Sequence, residues 1–173
     1  MARPHLWLRV LRLLNSVDMP VAPVMPEFPS SILSGLSSGQ PGQAELKVGV
    51  DLVLISRIQT SLDQFGERFG KRIFTPAEWS YAQSAPLLMT ERLAARFAAK
   101  EATLKALGLA GQGVAWVEME LVRQADGQCH LQLHGKARLL AERNGIVQSA
   151  VSISHDGDYA VALVAAIARK EHV

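Results

Sequence analysis

Apolar and polar positions fall into two textures that meet near residue 46. From Lys47 the pattern is periodic. Lys47-Val48-Gly49-Val50-Asp51-Leu52-Val53-Leu54 is a short, mostly apolar run holding one carboxylate, and it predicts a strand. Ser56 is placed to cap a helix whose Ile58, Leu62 and Phe65 share one face, with Gly66 ending or interrupting it. Thr75-Pro76-Ala77-Glu78 carries a cap residue, a proline in the first turn and a carboxylate at the third position, which marks a second helix start. Thr90 opens the longest helix, running to Leu107 and stopping at Gly108. Beyond it, Val117–Arg123 and Cys129–Leu133 alternate around Asp126-Gly127, a hairpin signal. Lys136–Asn144 reads as a helix ended by Gly145, and Val147–His155 and Tyr159–Ala166 as a strand pair around Asp156-Gly157-Asp158. The order β, α, α, α, β, β, α, β, β predicts an α+β fold, helices packed on a mainly antiparallel sheet.

Upstream, residues 15–45 hold Pro20, Pro23, Pro26, Pro29 and Pro41 with Gly35, Gly39, Gly42 and scattered serines. Such a stretch buries too little apolar surface to offset its ordering entropy, so residues 1–46 are expected to be a disordered extension and residues 47–173 the folded domain. Met19, Met25 or a later non-Met codon are candidate starts on this reading. In residues 1–14, Arg3, Arg9 and Arg12 interrupt the leucines and no small-residue cleavage site follows, which argues against a secretory signal. No run reaches the ~18 apolar residues of a membrane span. Of the 173 residues 49% are apolar and 20% charged, and the net charge is only +2, too small to point to nucleic acid. One cysteine, Cys129, excludes an internal disulfide and a cysteine metal cluster, and a reducing, cytoplasmic setting fits.

Three features are out of place for a plain core. Asp51 sits inside an apolar strand, where carboxylates are depleted unless paired or bound to a cation; an edge aspartate facing water is the ordinary alternative. In the helix around Arg96-Phe97-Ala98-Ala99-Lys100-Glu101, the residues Leu93, Phe97, Leu104 and Leu107 form an apolar stripe. Lys100 falls inside that stripe, Glu101 on its flank and Lys105 one turn further, so something polar is expected against this face. A Glu101–Lys105 surface ion pair is the alternative. His155 ends an apolar row with Val151 and Ile153, placed for a phosphate or for a purely structural hydrogen bond. Two carboxylates without cysteine or paired histidine suit Mg²⁺ rather than zinc, and the flanking cations would face a polyanion. No Walker loop and no G-x-G-x-x-G is present.

Val48-Gly49-Val50-Asp51-Leu52-Val53, Arg57-Ile58, Arg96-Phe97-Ala98-Ala99-Lys100-Glu101-Ala102 with Lys105-Ala106, and Val151-Ser152-Ile153-Ser154-His155 resemble, in order and spacing from about Lys47 to Ala166, the holo-acyl-carrier-protein synthases. These are the short branch of the 4'-phosphopantetheinyl transferases. The resemblance implies that fold and a transfer of phosphopantetheine from coenzyme A to a serine of apo acyl carrier protein, with release of 3',5'-ADP. It implies Asp51 and Glu101 as Mg²⁺ ligands, Lys105 at the pyrophosphate, Arg96 and Lys100 near the coenzyme A phosphates, and His155 at the nucleotide end by the 3'-phosphate. Arg57, Arg68 and Arg72 fall in the region that docks the acidic carrier, with Arg68 the looser match. It further implies a homotrimer with active sites between subunits, so that His155 faces Asp51 and Glu101 of a neighbour. The first 46 residues depart from the family pattern. Glu101 and a metal-bound water are both candidates for the base. A Mg²⁺-dependent nucleotide phosphohydrolase and a non-catalytic binding module are the rival readings; an RNA-binding module lacks the clustered basic and aromatic residues it would need.

Overall fold

The computed structural model of the chain describes residues 44–169; the expectations for residues 1–43 lie outside them. The fold is α+β. Strand β1 (Ala44–Leu54) leads into α1 (Ile55–Phe65), α2 (Glu67–Ile73) and α3 (Pro76–Gln83). A 3₁₀ turn (Pro86–Leu88) precedes the long α4 (Met89–Ala106). A second 3₁₀ turn (Trp116–Glu118) is followed by β2 (Met119–Arg123), β3 (Cys129–Leu133), α5 (Gly135–Arg143), β4 (Ile146–Asp156) and β5 (Tyr159–Arg169). All strand pairs are antiparallel, but they form two sheets, β1-β5-β4 and the separate hairpin β2-β3.

Several local expectations shift. Residues 44–46, assigned by composition to the extension, belong to β1, where Ala44 pairs with Arg169 and Glu45 with Ala168. A backbone ladder can extend a strand past its apolar pattern, because the partner strand satisfies its amides whatever the side chains. Gly66 separates α1 from a further helix, α2, that the pattern did not resolve. Ser56 does not cap α1. Its amide and hydroxyl instead donate to the Asp158 carboxylate at 2.8 and 2.6 Å, and Ile55 N–H donates to the Asp158 carbonyl at 2.8 Å. The capping box of α3 forms as read: the Glu78 amide donates to Thr75 Oγ1 and the Thr75 amide to Glu78 Oε2.

The seam between β1 and α4 positions everything that follows. Ala94, Ala98, Ala99, Ala102 and Ala106 of α4 and Ala160, Ala162, Ala166 and Ala168 of β5 are buried. Small side chains on both surfaces let helix and sheet approach closely. The approach is tightest at Gly49, where a Cβ would lie 2.2 Å from the Ala102 carbonyl oxygen and 2.6 Å from the Ala106 nitrogen. Glycine in mid-strand is required here for contact, not for a turn. On the sheet's opposite face the described apolar side chains are exposed. Leu46, Val48, Val50 and Leu52 of β1 and Leu163 of β5 are each close to half exposed.

Candidate active site

Asp51 lies two residues beyond Gly49 on the same face of β1, so the close seam brings it against the last turns of α4. Lys105 reaches across: its ammonium donates to Asp51 Oδ1 at 2.7 Å and to the Val50 carbonyl at 2.9 Å. The Glu101–Lys105 surface pair that spacing allowed is therefore not formed. Among the described residues no side-chain hydrogen bond or ion pair engages Glu101. Burial, and then the Asp51 charge, push its carboxyl above the usual range, with Lys105 pulling the other way. Burial also raises Asp51, outweighing the hydrogen bond and charge of Lys105. Two adjacent, partly desolvated carboxylates, one without a partner, fit a cation. Among the described residues no cluster of three or more His, Cys, Asp or Glu is assembled. That excludes a closed protein cage there but suits Mg²⁺, which takes one or two carboxylates and fills its octahedron with water and phosphate oxygens.

His155 stands at the end of β4. The register runs Val53–Ala160–His155 across the sheet, with Asp51 opposite Ala162 and Ala162 opposite Ile153. His155 thus shares the helix-covered face with Asp51, their backbones about 12 Å apart from strand spacing and rise. Its ring is 56% exposed, and Nε2 lies 3.3 Å from Glu91 Oε1 in the first turn of α4. Glu91 carried no sequence signal, being 64 residues from its partner and placed like any solvated helix residue.

Two of the expected phosphate-side residues lie on the packed side of α4. Arg96 and Lys100, expected beside the coenzyme A phosphates, are 3% and 1% exposed. The Lys100 ammonium pairs with Glu78 at 2.8 Å and donates to the carbonyls of Trp116, at 3.0 Å, and Met119. Arg96 lies 4.3 Å over the Tyr81 ring and donates to the Arg92 carbonyl. Both point into the interior because they sit on the packed side of α4. The polar group expected against that side is Glu78, which also accepts from the Leu121 amide. Burial lowers the Lys100 ammonium below the ordinary lysine range, against the opposing pull of Glu78.

Of the arginines assigned to docking, Arg57 is half-buried on α1, while Arg68 and Arg72 are exposed on α2, one turn apart and so on one side. Among the described residues no helix is long and apolar enough to cross a membrane.

Residues 47–164 match a family profile described as the 4'-phosphopantetheinyl transferase superfamily. The chain is 44% identical over 121 residues to a holo-[acyl-carrier-protein] synthase from Gloeobacter violaceus, covering 70% of this chain and 92% of that protein. It is 45% identical over 120 residues to one from Koribacter versatilis, covering 69% and 95%. Among solved structures, a Chronobacterium ammoniagenes ACPS–CoA complex superposes with a TM-score of 0.64 at 38% identity, covering 73% of this chain and 98% of that one. The matched residues 47–164 thus take in the seam, Asp51 and Glu101. The chain belongs to the 4'-phosphopantetheinyl transferase superfamily, within its holo-[acyl-carrier-protein] synthase branch.

Proposed function

We propose that this chain transfers the 4'-phosphopantetheine group of coenzyme A to a serine of apo acyl carrier protein, releasing 3',5'-ADP. The observation that carries the reading is the partnerless Glu101 beside Asp51 and Lys105, on a seam held closed by Gly49, in a chain of this family. Asp51 and Glu101 would hold Mg²⁺, which when bound supplies positive charge at the pyrophosphate oxygens. The serine oxygen forms a bond to the β-phosphorus as the bond from that phosphorus to the bridging oxygen breaks, and 3',5'-ADP departs with that oxygen. Lys105 offers a second positive charge to the phosphates. Glu101 is near enough to that charge cluster to receive the serine proton, directly or through water. His155, held by Glu91, binds the 3'-phosphate end of the nucleotide, and Arg57, Arg68 and Arg72 face the acidic carrier. Carriers of fatty-acid synthesis are the expected acceptors, in a reducing cytoplasm that suits the free thiol of Cys129.

Intact-mass spectrometry tests this. Apo acyl carrier protein incubated with this protein, coenzyme A and Mg²⁺ gains one phosphopantetheine, and the gain disappears with a chelator. An unchanged carrier, with both proteins folded, refutes the transfer; nucleotide cleavage without a carrier would then favour a phosphohydrolase.

The bare apolar face of β1 and β5 supports a homotrimer, since a monomer rarely leaves such a contiguous patch in water. With active sites between subunits, Asp51→Ala and His155→Ala chains are each inactive alone. Co-expressed in equal amounts they are expected to recover roughly a quarter of the sites. Purified mixed assemblies that remain inactive would place both residues of each site in one chain.

A further inference from the structure

Lys105 holds one of the two carboxylate oxygens of Asp51. Its ammonium contacts Asp51 Oδ1 at 2.7 Å and is steadied there by the Val50 carbonyl at 2.9 Å, a backbone oxygen that stays in place when side chains move. Mg²⁺ binds carboxylate oxygens at about 2.0–2.1 Å and repels any ammonium left on the same oxygen. The two positive charges therefore oppose each other on one carboxylate. Lys105 is also free to leave: its side chain is half exposed, and it sits at the end of α4 on a flexible four-carbon stem. Water alone gives the ammonium little reason to exchange a carboxylate and a carbonyl for solvent. A pyrophosphate does, because its oxygens are anionic and converge from the open side.

We infer that Lys105 closes the carboxylate pair to free divalent cations, so that metal and the pyrophosphate-bearing donor enter the site cooperatively. The inference rests on Asp51 and Glu101 being the metal ligands. It adds a second role to a lysine otherwise read only as a phosphate contact: a resident cation that gives way to the metal when the donor draws it off. By linkage the coupling is reciprocal, so the donor tightens the metal by the same factor as the metal tightens the donor.

The test is a Mn²⁺ titration followed by electron paramagnetic resonance, with and without coenzyme A, in the absence of carrier protein so that nothing turns over. In the wild type, Mn²⁺ alone binds weakly and coenzyme A strengthens it, after correction for metal bound by coenzyme A itself. Lys105→Met is expected to strengthen binding of Mn²⁺ alone about tenfold and to shrink the enhancement by coenzyme A. Lys47→Met removes a positive charge from the same strand, at a lysine paired with Glu45 rather than Asp51, and is expected to leave both quantities nearly unchanged. Unchanged or weaker binding of Mn²⁺ alone in Lys105→Met overturns the inference. So does an equal gain in Lys47→Met, which would reduce the effect to net charge. Glu101→Gln separates the two levels. If it abolishes Mn²⁺ binding while Lys105→Met changes nothing, the ligand assignment stands and the gate fails. If Glu101→Gln leaves Mn²⁺ binding intact, the ligand assignment itself fails.

Discussion

Lys100→Met is expected to destabilise the fold by about 3–5 kcal/mol, the range for breaking a buried ion pair from one side. The substitution leaves the Glu78 carboxylate buried without its counter-charge and removes the donor from the carbonyls of Trp116 and Met119. Those carbonyls lie in and beside the turn that carries the chain from α4 into β2, so the loss is felt where the hairpin begins. Glu78 keeps its bonds from the Thr75 and Leu121 amides, and a second change, Glu78→Gln, is expected to restore part of the loss by removing the stranded charge. Urea denaturation measures both. The functional half of the expectation is that folded Lys100→Met retains its KM for coenzyme A. A small stability loss, under about 1 kcal/mol, with a raised KM would instead return Lys100 to the phosphates.

Glu101→Gln is expected to abolish transfer, by about a thousandfold or more, and to make the metal-free protein more stable at neutral pH. In the folded chain the Glu101 carboxyl is raised by burial and by Asp51, whereas in the unfolded chain it ionises in the ordinary range. Such a group favours folding at pH values below its ordinary range, and that contribution is lost as pH rises through the raised folded value. At pH 7, above the ordinary glutamate range, the cost of keeping the Glu101 carboxyl in this site therefore opposes folding, and glutamine removes the opposition. Thermal unfolding in chelator should show the variant melting higher at pH 7, the difference closing as pH falls below the ordinary glutamate range. A variant that melts lower at pH 7 would mean that Glu101 makes a stabilising contact of its own and is not waiting for a cation. Activity lost together with stability gained is the pattern of a site held in tension for its ligand.

What could be read from the sequence follows the distance over which each signal acts. The Thr75–Glu78 capping box spans four residues, and it forms as written. Asp51, Glu101 and Lys105 were singled out because a carboxylate in a strand and charges on a helix's apolar flank violate patterns visible within a few turns. Lys100 violated the same pattern, and its need for a polar partner was legible. The partner was not, because periodicity says which side a residue faces but not what stands opposite. Glu78, 22 residues away and already accounted for as a cap, turned out to fill that place. Lys100 therefore went to the ligand by family resemblance and to the interior by structure. Ser56 failed similarly as a cap, since its true partner, Asp158, is 102 residues distant. One usable signal went unread. Gly49, in the middle of an apolar strand, announces a close backbone approach, and it marks the seam on which the site is built.

The clamp at Asp158 has a mechanical meaning. Three hydrogen bonds rivet the turn three residues past His155 to the first residues of α1, next to Arg57. The strand end read as gripping the nucleotide and the helix read as meeting the carrier are thereby parts of one lever arm. A tilt of α1 would therefore pull, through these three bonds, on the turn three residues past His155.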